Sequence, residues 1–186
     1  MIVAAPKDEE ELQNLLYTAV MSGQTMSIRY PRGNGQGINL SGWRQLSVGK
    51  GEIIKNGKDL AILAAGSMVY PAVEAAKFLS EEGINAAVFN ARFVKPLDSG
   101  AVLELALNTH RLMTVEENVL TGGFGSSVLD LLSQAGLTQI KVERLGLPDR
   151  FIEHGNMGLF RAQFDLDAPG IVRRVKSAFP ELLLKK

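Results

Sequence analysis

The sequence predicts an α/β protein in three layers, a mainly parallel sheet with helices on both faces. Three observations lead there. Apolar runs without alternation, such as Leu60 to Ala65, read as strands buried on both sides. Segments with helical spacing of apolar residues separate these runs, which is the pattern of βαβ units. Residues that start or stop helices, such as Asp98 and Gly83, stand at the boundaries between them.

The elements follow in order. Asp8 to Met21 reads as a helix, with Leu12, Leu15, Leu16, Ala19 and Val20 on one stripe and acidic residues in the first turn, where the helix dipole favours them. Gly23 stops it, and Met26 to Tyr30 reads as a short strand. Residues 33–48 hold Gly33, Gly35, Gly37 and Gly42 among Asn and Ser, and read as a linker or extended crossing segment. Trp43 is expected to anchor that linker to a domain face.

Glu52 to Lys55 reads as an edge strand before the turn at Asn56-Gly57, and Leu60 to Ala65 as a central one. Ser67 is placed to cap a helix from Val69 to Glu82. Ala86 to Asn90 is the next strand, and Asp98 caps a helix from Ser99 to Asn108. Leu112 to Val115 is a buried strand, Ser126 to Gln134 a helix and Ile140 to Arg144 a strand. A final helix carries Ile171, Val172, Val175, Ala178 and Phe179. The division expected is a helix–strand tail of a preceding domain over 1–32, a linker over 33–48 and an α/β domain over 49–186. A chain that opens on Ala5-Pro6-Lys7-Asp8, a turn already leading into a helix, reads like a fragment.

Composition narrows the function classes. Of 186 residues, 46% are hydrophobic and 22% charged, an ordinary globular balance. Lys plus Arg equals Asp plus Glu at 20 each, so the basic bias of a nucleic-acid binder is missing and no nucleic-acid partner is expected. Without cysteine there is neither a disulfide nor a thiolate metal site. No apolar run reaches the ~18 residues of a membrane span, and no membrane partner is expected.

Four stretches are candidates for chemistry. Arg29-Tyr30-Pro31-Arg32-Gly33 ends a strand and sets two arginines beside a proline-fixed turn. A guanidinium there suits either a phosphate or an interdomain salt bridge. Glu116-Glu117-Asn118, followed by Gly122-Gly123-Phe124-Gly125-Ser126, places glycines at a helix start, the geometry of an anion site. The two glutamates oppose a phosphate, and the favoured reading is a tight turn whose carboxylates take backbone N–H groups. His154 with Asp149 and Glu153 forms either a local polar site or an ordinary surface cluster, and His110 makes no metal spacing with it. Arg92 to Asp98 follows a strand at the sheet edge where α/β ligands bind, or forms a rigid turn.

Several stretches, taken in order, resemble one family. They are Ala5-Pro6-Lys7-Asp8-Glu9-Glu10-Glu11-Leu12, Arg29-Tyr30-Pro31-Arg32-Gly33-Asn34-Gly35, Asn90-Ala91-Arg92-Phe93-Val94-Lys95-Pro96-Leu97-Asp98, Val115-Glu116-Glu117-Asn118, Gly122-Gly123-Phe124-Gly125-Ser126 and Leu145-Gly146-Leu147-Pro148-Asp149-Arg150-Phe151. The set is similar to the C-terminal part of the 1-deoxy-D-xylulose-5-phosphate synthases, transketolase-like thiamine-diphosphate enzymes. The resemblance implies a transketolase C-terminal fold for 49–186 and the end of a pyrimidine-binding domain for 1–32. It implies a homodimeric enzyme that decarboxylates pyruvate and joins the two-carbon unit to glyceraldehyde 3-phosphate, on the way to isoprenoid precursors, thiamine and pyridoxal. Arg32 matches the arginine that grips the substrate phosphate. No role follows for Arg29 or Tyr30.

The family's Gly-Asp-Gly stretch for diphosphate and magnesium is missing here, and its activating glutamate and histidines belong to earlier domains. Thiamine diphosphate and Mg2+ are therefore expected in the full-length enzyme and not on this chain. The chain alone is expected to be inactive, its partners being the missing N-terminal domains. The expected location is the cytoplasm, or a plastid for a plant protein. The rivals are a transketolase tail, a 2-oxoacid dehydrogenase E1 β subunit, and a non-catalytic dimerisation or regulatory module.

Overall fold

A computed structural model describes residues 1–184. Its larger sheet is built from five strands: β3 (Glu52–Lys55), β4 (Leu60–Ala64), β5 (Ala86–Asn90), β7 (Arg111–Val119) and β8 (Lys141–Leu147). The order across the sheet is β3-β5-β4-β7-β8, parallel throughout except for the antiparallel edge strand β3. Both β4 and β5 are buried at every position, as expected for strands covered on both faces.

Two apolar cores result, one on each face. Ile62, Val88, Met113 and Val115 face α2 (Val69–Glu81) and α6 (Ala168–Ala178). Ala61, Leu63, Phe89 and Leu112 face α3 (Ser99–Thr109) and α4 (Phe124–Gln134). The alternation along β4 sends Leu60 and Ile62 one way and Ala61 and Leu63 the other. The α/β class and the three layers read from the sequence are the ones observed.

Capping matches the sequence at one helix and not at another. Asp98 Oδ1 accepts from the Ala101 amide at 3.3 Å and starts α3. Ser67 caps nothing: it sits in a 3-10 turn, Gly66–Met68, and its hydroxyl turns to Glu117 instead.

A smaller unit lies beside this domain. The chain start forms β1 (Ile2–Ala4), then α1 (Glu9–Ser22) and β2 (Met26–Ile28). The sequence reading has this stretch as the helix–strand tail of a preceding domain; the structure gives it a small sheet of its own. β1 pairs in parallel with β2 and antiparallel with β6 (Phe93–Lys95), a strand in the stretch that the sequence presented as a ligand-binding edge or a rigid turn. Leu15, Phe93 and Ile2 make its small core. α1 begins at Asp8, whose carboxylate accepts from the Glu11 amide at 2.8 Å, and ends at Gly23, where φ is +62°.

Polar contacts join the two units. Arg92 is buried, with φ at 56°, and its Nε donates to Glu11 Oε1 at 2.7 Å. Its Nη2 reaches Glu52 at 2.9 Å, and Asn90 donates to the same Glu11 oxygen at 2.8 Å. Tyr70 donates to Asp8 at 3.0 Å, and burial together with that bond pushes the phenol up to about 12. Residues 33–48 cross α1 in extended form: the Arg44 and Leu46 amides donate to Asn14 Oδ1 and Thr18 Oγ1. Trp43 packs on α1 through Tyr17, with ring centroids 6.1 Å apart, and stays largely exposed.

Candidate functional site

The carboxyl ends of β4 and β7 lie side by side, Ala64 opposite Val115. They bring the turn with Ser67 and the pair Glu116–Glu117 to one rim, where ligands of open α/β sheets bind. Neighbours on a strand face opposite ways, and the two glutamates do different work.

Glu116 is buried and turns to α4. Its carboxylate accepts from the Phe124 and Gly125 amides at 2.7 and 2.8 Å. Burial pushes its carboxyl above the usual range, partly offset by those two amides. A Cβ on Gly123 would lie 2.4 Å from Glu116 Oε2, and one on Gly125 would lie 2.5 Å from Thr114 Oγ1. The glycines here serve close packing. The helix start that could take an anion is filled by the chain's own carboxylate.

Glu117 faces the rim. Its Oε1 accepts from Arg161 Nε at 2.8 Å, and its Oε2 accepts from the Ser67 hydroxyl. Arg29, just past the end of β2, donates through Nη2 to the Glu117 carbonyl. Three elements far apart in sequence therefore meet on one residue.

The loop after β2 runs over this hub. Tyr30 and Pro31 border a cleft of about 290 Å³ whose other wall is the start of α1, with Lys7, Asp8 and Glu9. Arg32 borders a second cleft, of about 430 Å³. Leu147, Ile152, Phe164 and Leu166 are among its apolar lining, and Glu117, Glu153, His154 and Arg161 among its polar lining. Arg161 lines both clefts. It belongs to α5 (Met157–Gln163), a helix the sequence reading did not include. The Arg32 side chain is exposed and makes no hydrogen bond or ion pair among the described residues.

The structure thus brings together Arg32, His154 and Glu117, but not the other pairs considered. His154 is not bonded to Asp149 or Glu153 among the described residues. His110 ends α3, at the amino end of β7, the opposite edge of the sheet. Arg92 is committed to Glu11 and Glu52. Arg161 and Ser67 are the members that sequence reasoning missed or misassigned, since neither belongs to a local pattern that signals its partner.

The family described as "Transketolase, C-terminal domain" matches residues 49–171. The chain belongs to the transketolase C-terminal domain family. Its matched region holds the five-stranded sheet, and β1, α1 and β2 lie before it. Among its relatives, a 1-deoxy-D-xylulose-5-phosphate synthase 1 from Geobacter metallireducens is 56% identical over 95% of this chain and 28% of that protein. A 1-deoxy-D-xylulose-5-phosphate synthase from Halothermothrix orenii is 48% identical over 92% of the chain and 27% of that protein. The chain thus spans a little over a quarter of the length of these relatives. A solved structure titled "Split gene transketolase, inactive beta4 tetramer" superposes on the whole chain and 58% of that chain, with TM-score 0.81 and 31% identity.

Thiamine diphosphate and magnesium need metal-binding side chains in a group and a free anion site. Among the described residues no three metal-binding side chains group together. The α4 start that a diphosphate would use is occupied by Glu116. Among the described residues, then, neither feature suits thiamine diphosphate or its magnesium.

Proposed function

We propose that this chain is the C-terminal part of a 1-deoxy-D-xylulose-5-phosphate synthase, which releases CO2 from pyruvate and joins the remaining two carbons to glyceraldehyde 3-phosphate. The observation that carries this reading is identity of 48–56% with such synthases over at least 92% of the chain. Thiamine diphosphate and Mg2+ would bind in the remaining domains of that enzyme, which supply the carbanion chemistry. Residues 1–32 end the preceding domain, 33–48 link, and 49–186 form the transketolase-like domain. By itself the chain turns over nothing.

Arg32 grips the acceptor's phosphate in this proposal. Its support is a guanidinium with no hydrogen-bond or ion-pair partner among the described residues, beside a cleft, whereas Arg29 is already engaged with Glu117. The full enzyme is a homodimer. Support comes from the exposed apolar residues Leu16 and Val20 of α1 and Trp43 beside them, which line one open apolar surface. The location is the cytoplasm, or a plastid if the source is a plant.

The test uses the full-length enzyme with pyruvate and one acceptor at a time. Preferred turnover of glyceraldehyde 3-phosphate, with release of CO2, is expected. Preference for erythrose 4-phosphate or lipoamide would assign the chain to a transketolase or an E1 β subunit instead. In the same assay Arg32→Ala raises KM for glyceraldehyde 3-phosphate; a larger rise from Arg29→Ala would move the phosphate role to Arg29. Turnover by the isolated chain would refute its inactivity.

A further inference from the structure

Arg161 is the cation of the cleft that the reading above leaves unused. Its guanidinium is held along one edge only, with Nε donating to Glu117 Oε1 at 2.8 Å. Nη1 and Nη2 make no hydrogen bond or ion pair among the described residues. The side chain is 27% exposed, so it is packed yet reachable. It lines the same cleft as Arg32.

The brace behind it is firm. Glu117 is fixed by Ser67 at its second carboxylate oxygen and by Arg29 at its carbonyl. A guanidinium tied by one edge to a fixed carboxylate has lost much of its rotamer freedom before any ligand arrives. The remaining edge presents parallel N–H donors, which suit two oxygens of one phosphate. The ion pair with Glu117 cancels one positive charge, and Arg32 supplies another that is uncancelled. Glu153 on the same lining opposes an anion, but it is exposed and well screened by water. The apolar part of the lining strengthens a charge-assisted bond formed above it.

We propose that Arg161 is a second arginine contact for the acceptor's phosphate, acting with Arg32, and that Glu117 is the positioning residue that aims it. The proposal rests on the reading of the chain as part of a synthase with a phosphorylated acceptor. It extends phosphate recognition from the loop after β2 to a helix more than a hundred residues further along.

The experiment compares D-glyceraldehyde 3-phosphate with unphosphorylated D-glyceraldehyde in the full-length enzyme. Arg161→Ala is expected to raise KM for the phosphorylated acceptor roughly ten- to hundredfold, the size of a lost charged hydrogen bond. KM for D-glyceraldehyde and kcat stay as they were. Arg161→Lys recovers part of the loss, and Glu117→Gln gives a smaller rise for the phosphorylated acceptor alone. If Arg32→Ala discriminates between the acceptors and Arg161→Ala does not, the inference is overturned and the Arg32 reading stands. If Arg161→Ala weakens both acceptors equally, its role is structural and the inference also falls. If Arg161→Ala discriminates and Arg32→Ala does not, the Arg161 contact stands and the Arg32 assignment falls. If neither discriminates, both fall.

Discussion

The five-stranded domain and the small unit formed by β1, α1, β2 and β6 are held by different forces. The first has two continuous apolar cores, one on each face of its sheet. The second has a core of a few residues and leans on its neighbour through Arg92, Glu11, Asn90, Asp8 and Tyr70. Apolar burial is non-directional, whereas a buried ion pair that loses one partner leaves a costly buried charge. The large domain should therefore tolerate loss of the small unit, and the reverse should fail.

The largest effect expected is on the large domain. Phe89→Ala removes a fully buried ring under α3 and should cost about 3–5 kcal/mol in denaturant unfolding of the whole chain. Next comes the joint between the units. Arg92→Met leaves Glu11 buried without its cation and should cost about 3 kcal/mol or more. The loss should appear first as faster amide exchange at Ile2 and Arg29, whose amides donate to the Thr25 and Ala4 carbonyls, with the large sheet still protected. Adding Glu11→Leu to that variant should restore part of the protection, because the unpaired charge is then gone while Asn90 and the Lys7 amide lose their acceptor. If the second change restores nothing, packing rather than charge joins the units.

Leu15→Ala is the third test. It should cost about 2–3 kcal/mol, confined to exchange in the small unit. Loss of protection across β4 and β7 as well would show that the two regions unfold as one.

Acid gives the smallest effect, with opposite signs at Asp8 and at Glu116. Burial pushes Asp8 up, but the bonds from Lys7 and from the Glu11 amide outweigh it, and its carboxyl lies below the ordinary 3.8. The native state then holds fewer protons than the unfolded one, so the stability from Asp8 is present above 3.8 and lost as pH falls below it. Glu116 lies above its ordinary 4.5, so the native state holds more protons there. Its contribution to the large domain grows as pH falls through the window above 4.5. Amide exchange followed down the pH scale should show loosening around Asp8 before any around Glu116. The reverse order would contradict this assignment.

Much of the fold was legible in the sequence. The strands and long helices of the large domain were readable because a strand covered on both faces is apolar at every position, and a helix on a sheet is apolar every three or four. β1 and β6 were not readable, because three residues carry no period and Lys95-Pro96 looks like turn chemistry. At the site, Glu116 was read as a partner of backbone amides because the glycines that receive it lie close by in sequence. Arg32 was singled out by its motif, and its cleft could not be foreseen.

By itself the sequence determined the α/β class, the alternation of elements and the closely packed start of α4, all of which depend on neighbours within a few residues. Only the tertiary structure decided that Glu117 would gather Arg161, Ser67 and Arg29, partners 44, 50 and 88 residues away. It also decided that Arg92 would tie two units together across 81 residues. Contacts at such separations leave no local pattern, because the folded sheet rather than the chain brings the groups together.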